Sequence, residues 1–115
     1  MLNGKHLISG RWIETSIAFT NDPVVGGPDT FCAGTVAVVD QAAEAAEAAF
    51  SSFGQSSVKE RSEFLRAIAE ELSARREDIV QTGARETGLP TPRLNGELDR
   101  TCGQLVLFAR PCGRI

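Results

Sequence analysis

Two hydrophobic periods divide the chain. Up to about residue 34 the apolar residues come in short extended runs: Lys5-His6-Leu7-Ile8, a Ser9-Gly10 turn, then Arg11-Trp12-Ile13-Glu14, which together predict a β-hairpin. Ile17-Ala18-Phe19-Thr20 and Thr30-Phe31-Cys32 predict two further short strands, separated by a loop that Asn21-Asp22-Pro23 and Gly26-Gly27-Pro28 bracket. From Thr35 the spacing changes to three and four. Val36, Val39, Ala43, Ala46, Phe50 and Phe53 then form one stripe of a helix that Thr35 caps and Gly54 closes.

Ser57 followed three residues later by Glu60 is a capping-box signal for a second helix, with Leu65, Ile68 and Leu72 on its apolar side and Glu71 and Arg75 as an i,i+4 pair. A third helix is expected to start near Arg76, carry Glu77 and Asp78 in its first turn, present Ile79, Val80, Gly83 and Ala84, and end at Gly88 in the left-handed conformation. The fourth is predicted to have Thr91 as N-cap and Pro92 at N1. Leu94, Leu98, Thr101, Cys102, Leu105, Phe108 and Ala109 make its apolar stripe.

A second face of the fourth helix departs from this plan. Gly96, Arg100, Gly103 and Leu107 recur at steps of four, three and four, so two residues without side chains flank one guanidinium. Each glycine costs about 0.8–1 kcal/mol against alanine in a helix interior. Either a ligand passes here, with Arg100 offering its fork of donors to a carboxylate, or the glycines allow close backbone packing beside a solvated arginine. Spacing leaves both open.

Composition mainly excludes. Twelve basic and fifteen acidic residues are intermixed, the net charge is −3, and no basic run exceeds Arg75-Arg76, so there is no nucleic-acid footprint. No stretch approaches the roughly 18 apolar residues of a membrane span, and residues 1–10 hold no signal-peptide core, which favours a cytoplasmic protein. Cys32, Cys102 and Cys112 are odd in number and match no metal-ligand or disulfide spacing; they read as reduced, partly buried thiols, and no metal is expected.

Four segments in order carry a resemblance. They are the Gly4-Lys5-His6-Leu7-Ile8-Ser9-Gly10-x-Trp12 hairpin, the helix through Ala45-Ala46-Glu47-Ala48-Ala49-Phe50, Arg61-x-x-Phe64-Leu65-x-x-Ile68-Ala69, and Glu86-Thr87-Gly88-Leu89-Pro90. Together they resemble the amino-terminal region of the NAD(P)-dependent aldehyde dehydrogenase superfamily. Within it, Arg93-Leu94-Asn95-Gly96-Glu97 and Arg100-Thr101-x-Gly103-Gln104-Leu105-x-Leu107-Phe108-Ala109 are most similar to the 2-oxoglutarate semialdehyde (2,5-dioxovalerate) dehydrogenase branch. The resemblance runs from about Leu2 to Ala109, roughly the first quarter of such an enzyme.

The resemblance implies an α/β cofactor domain of which this chain is a mainly α part. Residues 1–34 would be the hairpin and loop, 35–109 the four helices, and 110–115 a tail outside the family pattern. It implies an oxidoreductase in which a cysteine thiolate attacks the aldehyde, an asparagine and a backbone N–H hold the oxyanion, hydride passes to NAD or NADP, and a glutamate activates water. None of these groups aligns with this chain, and Cys32, Cys102 and Cys112 match no catalytic position. The expectation is a truncated enzyme, inactive as this chain, with no catalytic or cofactor-binding residue of its own. Its parent would take a small aldehyde and could form homo-oligomers, as the family does. Arg100 aligns with a position facing the substrate tunnel, and Gly96, Gly103 and Gln104 would line it. The alternative is a non-catalytic helical interaction module.

Overall fold

A computed structural model describes residues 2–110. The chain divides into two compact units, 1–55 and 56–115.

In the first unit, strands β1 (His6–Ile8) and β2 (Arg11–Ile13) pair antiparallel with Ile8 opposite Arg11, leaving Ser9 and Gly10 as a two-residue turn. Both turn residues have positive φ, 52° and 75°, as a type I′ turn requires. Strands β3 (Ala18–Thr20) and β4 (Thr30–Cys32) form a second antiparallel hairpin, so the strand segments expected singly are partners. Phe19 stands opposite Phe31 and their rings stack at 5.6 Å, a cross-strand pair that fixes the register. Asn21 closes the long connection: its side-chain oxygen accepts from the Asp29 N–H at 2.7 Å. The two hairpins meet at Gly4, whose carbonyl accepts from Cys32 N–H at 2.7 Å and whose φ is +64°. A Cβ on Gly4 would collide with the Thr30 carbonyl oxygen.

Helix α1 (Val36–Phe53) follows, with Thr35 as N-cap accepting from Val38 N–H. The helix is where the periodicity places it, but its stripe is not core. Val36, Val39, Ala43, Ala46, Phe50 and Phe53 are all exposed, and α1, which touches β1, has no fully buried residue.

The second unit is a three-helix cluster of α2 (Val58–Ala74), α3 (Arg76–Thr87) and α4 (Thr91–Phe108). The capping box that opens α2 is complete. Ser57 Oγ accepts from Glu60 N–H at 3.2 Å, and Glu60 Oε2 accepts from Ser57 N–H at 2.6 Å. These bonds favour the carboxylate, so the Glu60 pKa lies below its ordinary value. Gly88 ends α3 in the left-handed conformation with φ 71°, its N–H on the Ala84 carbonyl.

At the start of α4 the cap differs from the expected one. Pro90 is the N-cap and Thr91 the first helical residue, which puts Pro92 at N2; no side chain caps the helix. Proline is still tolerated there, because the first four N–H groups of a helix have no intrahelical acceptor.

Both α2 and α3 pack on α4. The core consists of Ala69, Val80, Leu98 and Ala109, with Leu65, Ile68, Leu72, Leu94, Cys102 and Leu105 half-buried around it. Thr101 and Phe108, assigned to the α4 stripe by spacing, are exposed, Phe108 at 75%. They stand on the edge of a stripe that is narrower than expected: Leu94, Leu98, Cys102, Leu105 and Ala109.

Candidate functional site

Helix α4 is held at three points along its length. Near its N-terminal end, Leu94 packs against Gly83 of α3: a Cβ there would lie in contact, 3.4 Å from both Leu94 methyl groups. The Arg76 guanidinium, at the start of α3, donates to Asn95 Oδ1 at 3.1 Å and to Asp99 Oδ1 at 2.6 Å, one helical turn apart. Midway, the Cys102 thiol donates to the Ala69 carbonyl at 3.6 Å and accepts from Ser73 Oγ at 3.5 Å. At the C-terminal end the Ser62 hydroxyl of α2 donates to the carbonyl of the buried Ala109. That bond satisfies one of the last four carbonyls of α4, which have no intrahelical donor.

This attachment leaves a full face of α4 outward. Gly96, Arg100, Gly103 and Leu107 are exposed, and a Cβ on either glycine would meet nothing within 4 Å. Close backbone packing at the glycines, one of the two readings that spacing allowed, does not occur among the described residues. Arg100 itself makes no hydrogen bond or ion pair among the described residues.

Two grooves flank the buried stripe where α2 meets α4. One, of about 480 Å³, is lined by Leu65 of α2 and by Glu97, Arg100, Thr101, Gln104, Leu105 and Phe108. It brings together Arg100 and Gln104, one turn apart, over an apolar wall. The other, of about 750 Å³, is lined by Arg66, Ala69, Glu70 and Ser73 of α2 and by Cys102, Gly103, Val106, Leu107 and Arg110. Of the four residues singled out by sequence, Arg100 and Gln104 therefore share a groove, Gly103 lines the other, and Gly96 lines neither.

Glu97, Leu65 and Phe108 belong to the first groove as well, and spacing did not mark them for it. Glu97 had a usable signal, since it lies three residues before Arg100 and four after Arg93. It pairs with Arg93, whose Nε stands 3.1 Å from Glu97 Oε1. Cys32 and Cys102 are free thiols, and no group of three or more metal-ligating side chains occurs among the described residues. Cys112 lies outside the described residues.

The strands of the described residues form two antiparallel pairs, and none of them is parallel.

The profile of the aldehyde dehydrogenase family matches residues 18–115. The chain belongs to that family. Among curated relatives, the α-ketoglutaric (2-oxoglutaric) semialdehyde dehydrogenase 2 of Azospirillum brasilense is 40% identical over 113 residues, which cover 96% of this chain and 21% of the relative. The α-ketoglutaric semialdehyde dehydrogenase of Acinetobacter baylyi is 37% identical over 113 residues, 93% of this chain and 21% of the relative. The crystal structure of an NAD-dependent benzaldehyde dehydrogenase from Corynebacterium glutamicum superposes with a TM-score of 0.86 at 28% identity, covering 95% of this chain and 25% of that one. The chain thus spans about a fifth of the length of the curated relatives it matches. Two small hairpins and four helices are the amino-terminal part of the aldehyde dehydrogenase fold. The aldehyde dehydrogenase chain has no helix, among its described residues, long and apolar enough to cross a membrane.

Proposed function

We propose that this chain is the amino-terminal part of an enzyme that oxidises 2-oxoglutarate semialdehyde to the dicarboxylic acid with NAD or NADP, and that Arg100 holds the distal carboxylate of the substrate. The likeness to two α-ketoglutaric semialdehyde dehydrogenases supports the substrate class. The observation that carries the role of Arg100 is its unpaired guanidinium in a groove with Gln104. A substrate that ends in a carboxylate needs a fixed cation at the end away from the aldehyde, and a guanidinium can bind it through two parallel hydrogen bonds. Gln104, one turn on, adds an amide donor. Gly96 and Gly103, with empty space where side chains would stand, leave room on this face of α4 for the neighbouring wall of a substrate tunnel.

The chain by itself has no turnover in this reading, because the described residues supply neither an activated nucleophile nor a cradle for the cofactor. The free thiols Cys32 and Cys102 favour a reducing compartment such as the cytoplasm.

The test is a chimaera in which residues 2–110 replace the corresponding segment of the Azospirillum brasilense enzyme. Arg100→Ala should cut kcat/KM for 2-oxoglutarate semialdehyde by about 10- to 100-fold, the range for losing a charged hydrogen bond, and leave an uncharged aldehyde of similar length unaffected. Equal discrimination in the two chimaeras would refute the role of Arg100. Reduction of NAD or NADP by the 115-residue chain alone would refute its inactivity.

A second reading, a non-catalytic interaction module, has one observation in its favour, the exposed apolar stripe of α1. It predicts that the purified chain self-associates and that Phe50→Asp abolishes the association.

A further inference from the structure

Arg100 makes no ion pair among the described residues, and both carboxylates of its own helix are paired elsewhere. Helix α4 carries two acidic residues, Glu97 and Asp99. Asp99 is drawn to α3 by Arg76, with Nη2 on Oδ1 at 2.6 Å. Glu97 lines the same groove as Arg100 and lies three residues before it, a spacing at which opposite charges on a helix meet. Yet Glu97 is paired in the other direction, to Arg93 at i,i+4 with Nε 3.1 Å from Oε1. Two arginines thus compete for one carboxylate, and Arg93 holds it.

We infer that Arg93 is a positioning residue for substrate specificity: by engaging Glu97 it keeps the Arg100 guanidinium without an internal counter-ion and available to a carboxylate-bearing ligand. The ligand clause rests on the proposed role of Arg100; the division of charge between the three residues does not. Arg93 and Glu97 are 63% and 51% exposed, and an arginine ahead of a glutamate is the less favourable i,i+4 order. The balance between the two pairings is therefore fine, and removal of Arg93 tips it.

The first measurement uses the 115-residue chain labelled with nitrogen-15, following the Arg100 Nε–Hε resonance. Arg93→Gln, a surface change that leaves the core of α4 intact, is expected to shift this resonance and slow its solvent exchange by about two- to fivefold, the size of an exposed ion pair. Adding Glu97→Gln should return it to the original state. An Arg100 signal that Arg93→Gln leaves unmoved overturns the inference, as does one already altered by Glu97→Gln alone.

The second measurement uses the chimaeric enzyme. Arg93→Gln should raise KM for 2-oxoglutarate semialdehyde about two- to fivefold with kcat unchanged and no change for the uncharged aldehyde, and Glu97→Gln in the same chain should restore it. A rise for both aldehydes would mean a structural effect and would overturn the inference. If Arg100 pairs with Glu97 in Arg93→Gln while Arg100→Ala leaves discrimination intact, the charge division stands and the substrate reading falls.

Discussion

Helices α1 and α4 are each 18 residues long, and each carries an apolar stripe at helical spacing. Helix α4 buries Leu98 to 6% exposure, and Ala109, at its C-cap, to 1%, while α1 buries nothing and exposes Val36, Phe50 and Phe53 by half or more. The difference is in the partners. Helix α4 has two neighbours, α2 and α3, the latter joined to it by a short turn through the αL residue Gly88, and bonds to Ser62, Ala69 and Arg76 fasten it. Helix α1 touches the three-residue strand β1 and has no fully buried residue. An amphipathic stripe records that a helix has a partner; whether the partner lies in the same chain is a separate matter.

The largest expected effect contrasts the two stripes directly. Leu98→Ala should destabilise the α2–α4 cluster by about 2–5 kcal/mol, the usual cost of emptying a buried leucine site, whereas Phe50→Ala should change stability by less than about 0.5 kcal/mol. Urea unfolding and amide exchange in peptides from α1 and α4 would check both. An equal loss from the two substitutions would show that α1 is as well packed as α4.

Next in size is the clasp at the end of α4. Ser62→Ala leaves the carbonyl of buried Ala109 without its side-chain donor and should cost about 1–3 kcal/mol, with faster amide exchange in the last turn of α4 and none in α1.

Smaller effects of opposite sign are expected on the outward face. Gly96→Ala and Gly103→Ala should each stabilise α4 by about 0.8–1 kcal/mol, because an added Cβ meets nothing within 4 Å at either site. If the same changes lower the activity of the chimaeric enzyme, the glycines serve the assembled protein at the expense of the helix. A gain in stability with no loss of activity would leave them without a role.

The smallest effect is acid sensitivity at the start of α2. Glu60 has a lowered pKa in the folded chain, so its carboxylate favours folding above the ordinary glutamate range, and that contribution fades as pH falls through the folded pKa. Glu60→Gln should flatten the pH dependence of α2 protection below about pH 4.5, the ordinary value, and leave it unaltered at pH 7. A slope that survives Glu60→Gln would mean other carboxylates carry it.

The termini of the helices were legible because their signals are local. Thr35, the Ser57–Glu60 box and Gly88 each act on backbone groups within four residues, so composition and spacing suffice to place them. Thr91 misled for the same reason: it is a good cap by type, but Pro90 already has the extended ψ of 142° that a cap needs, and the helix starts one residue earlier than Thr91 as N-cap would allow. The outward face with Arg100 was readable as a break in the α4 pattern. Its groove was not, because Leu65 comes from α2, 35 positions before Arg100 in the sequence. Nor could spacing show that Asp99 belongs to Arg76, 23 residues away.

By itself, the sequence determined the number of helices, the turn at Ser9-Gly10, the family, and the identity of the cation between the two glycines of α4. These depend on short-range backbone sterics and on residue type, which the order of the chain carries in full. Tertiary structure alone decided which stripe is core, that β3 pairs with β4, and that Arg76 of α3 takes Asp99 of α4. Each of those outcomes is a competition between distant groups for the same surface or the same charge, and it is settled by where the helices pack.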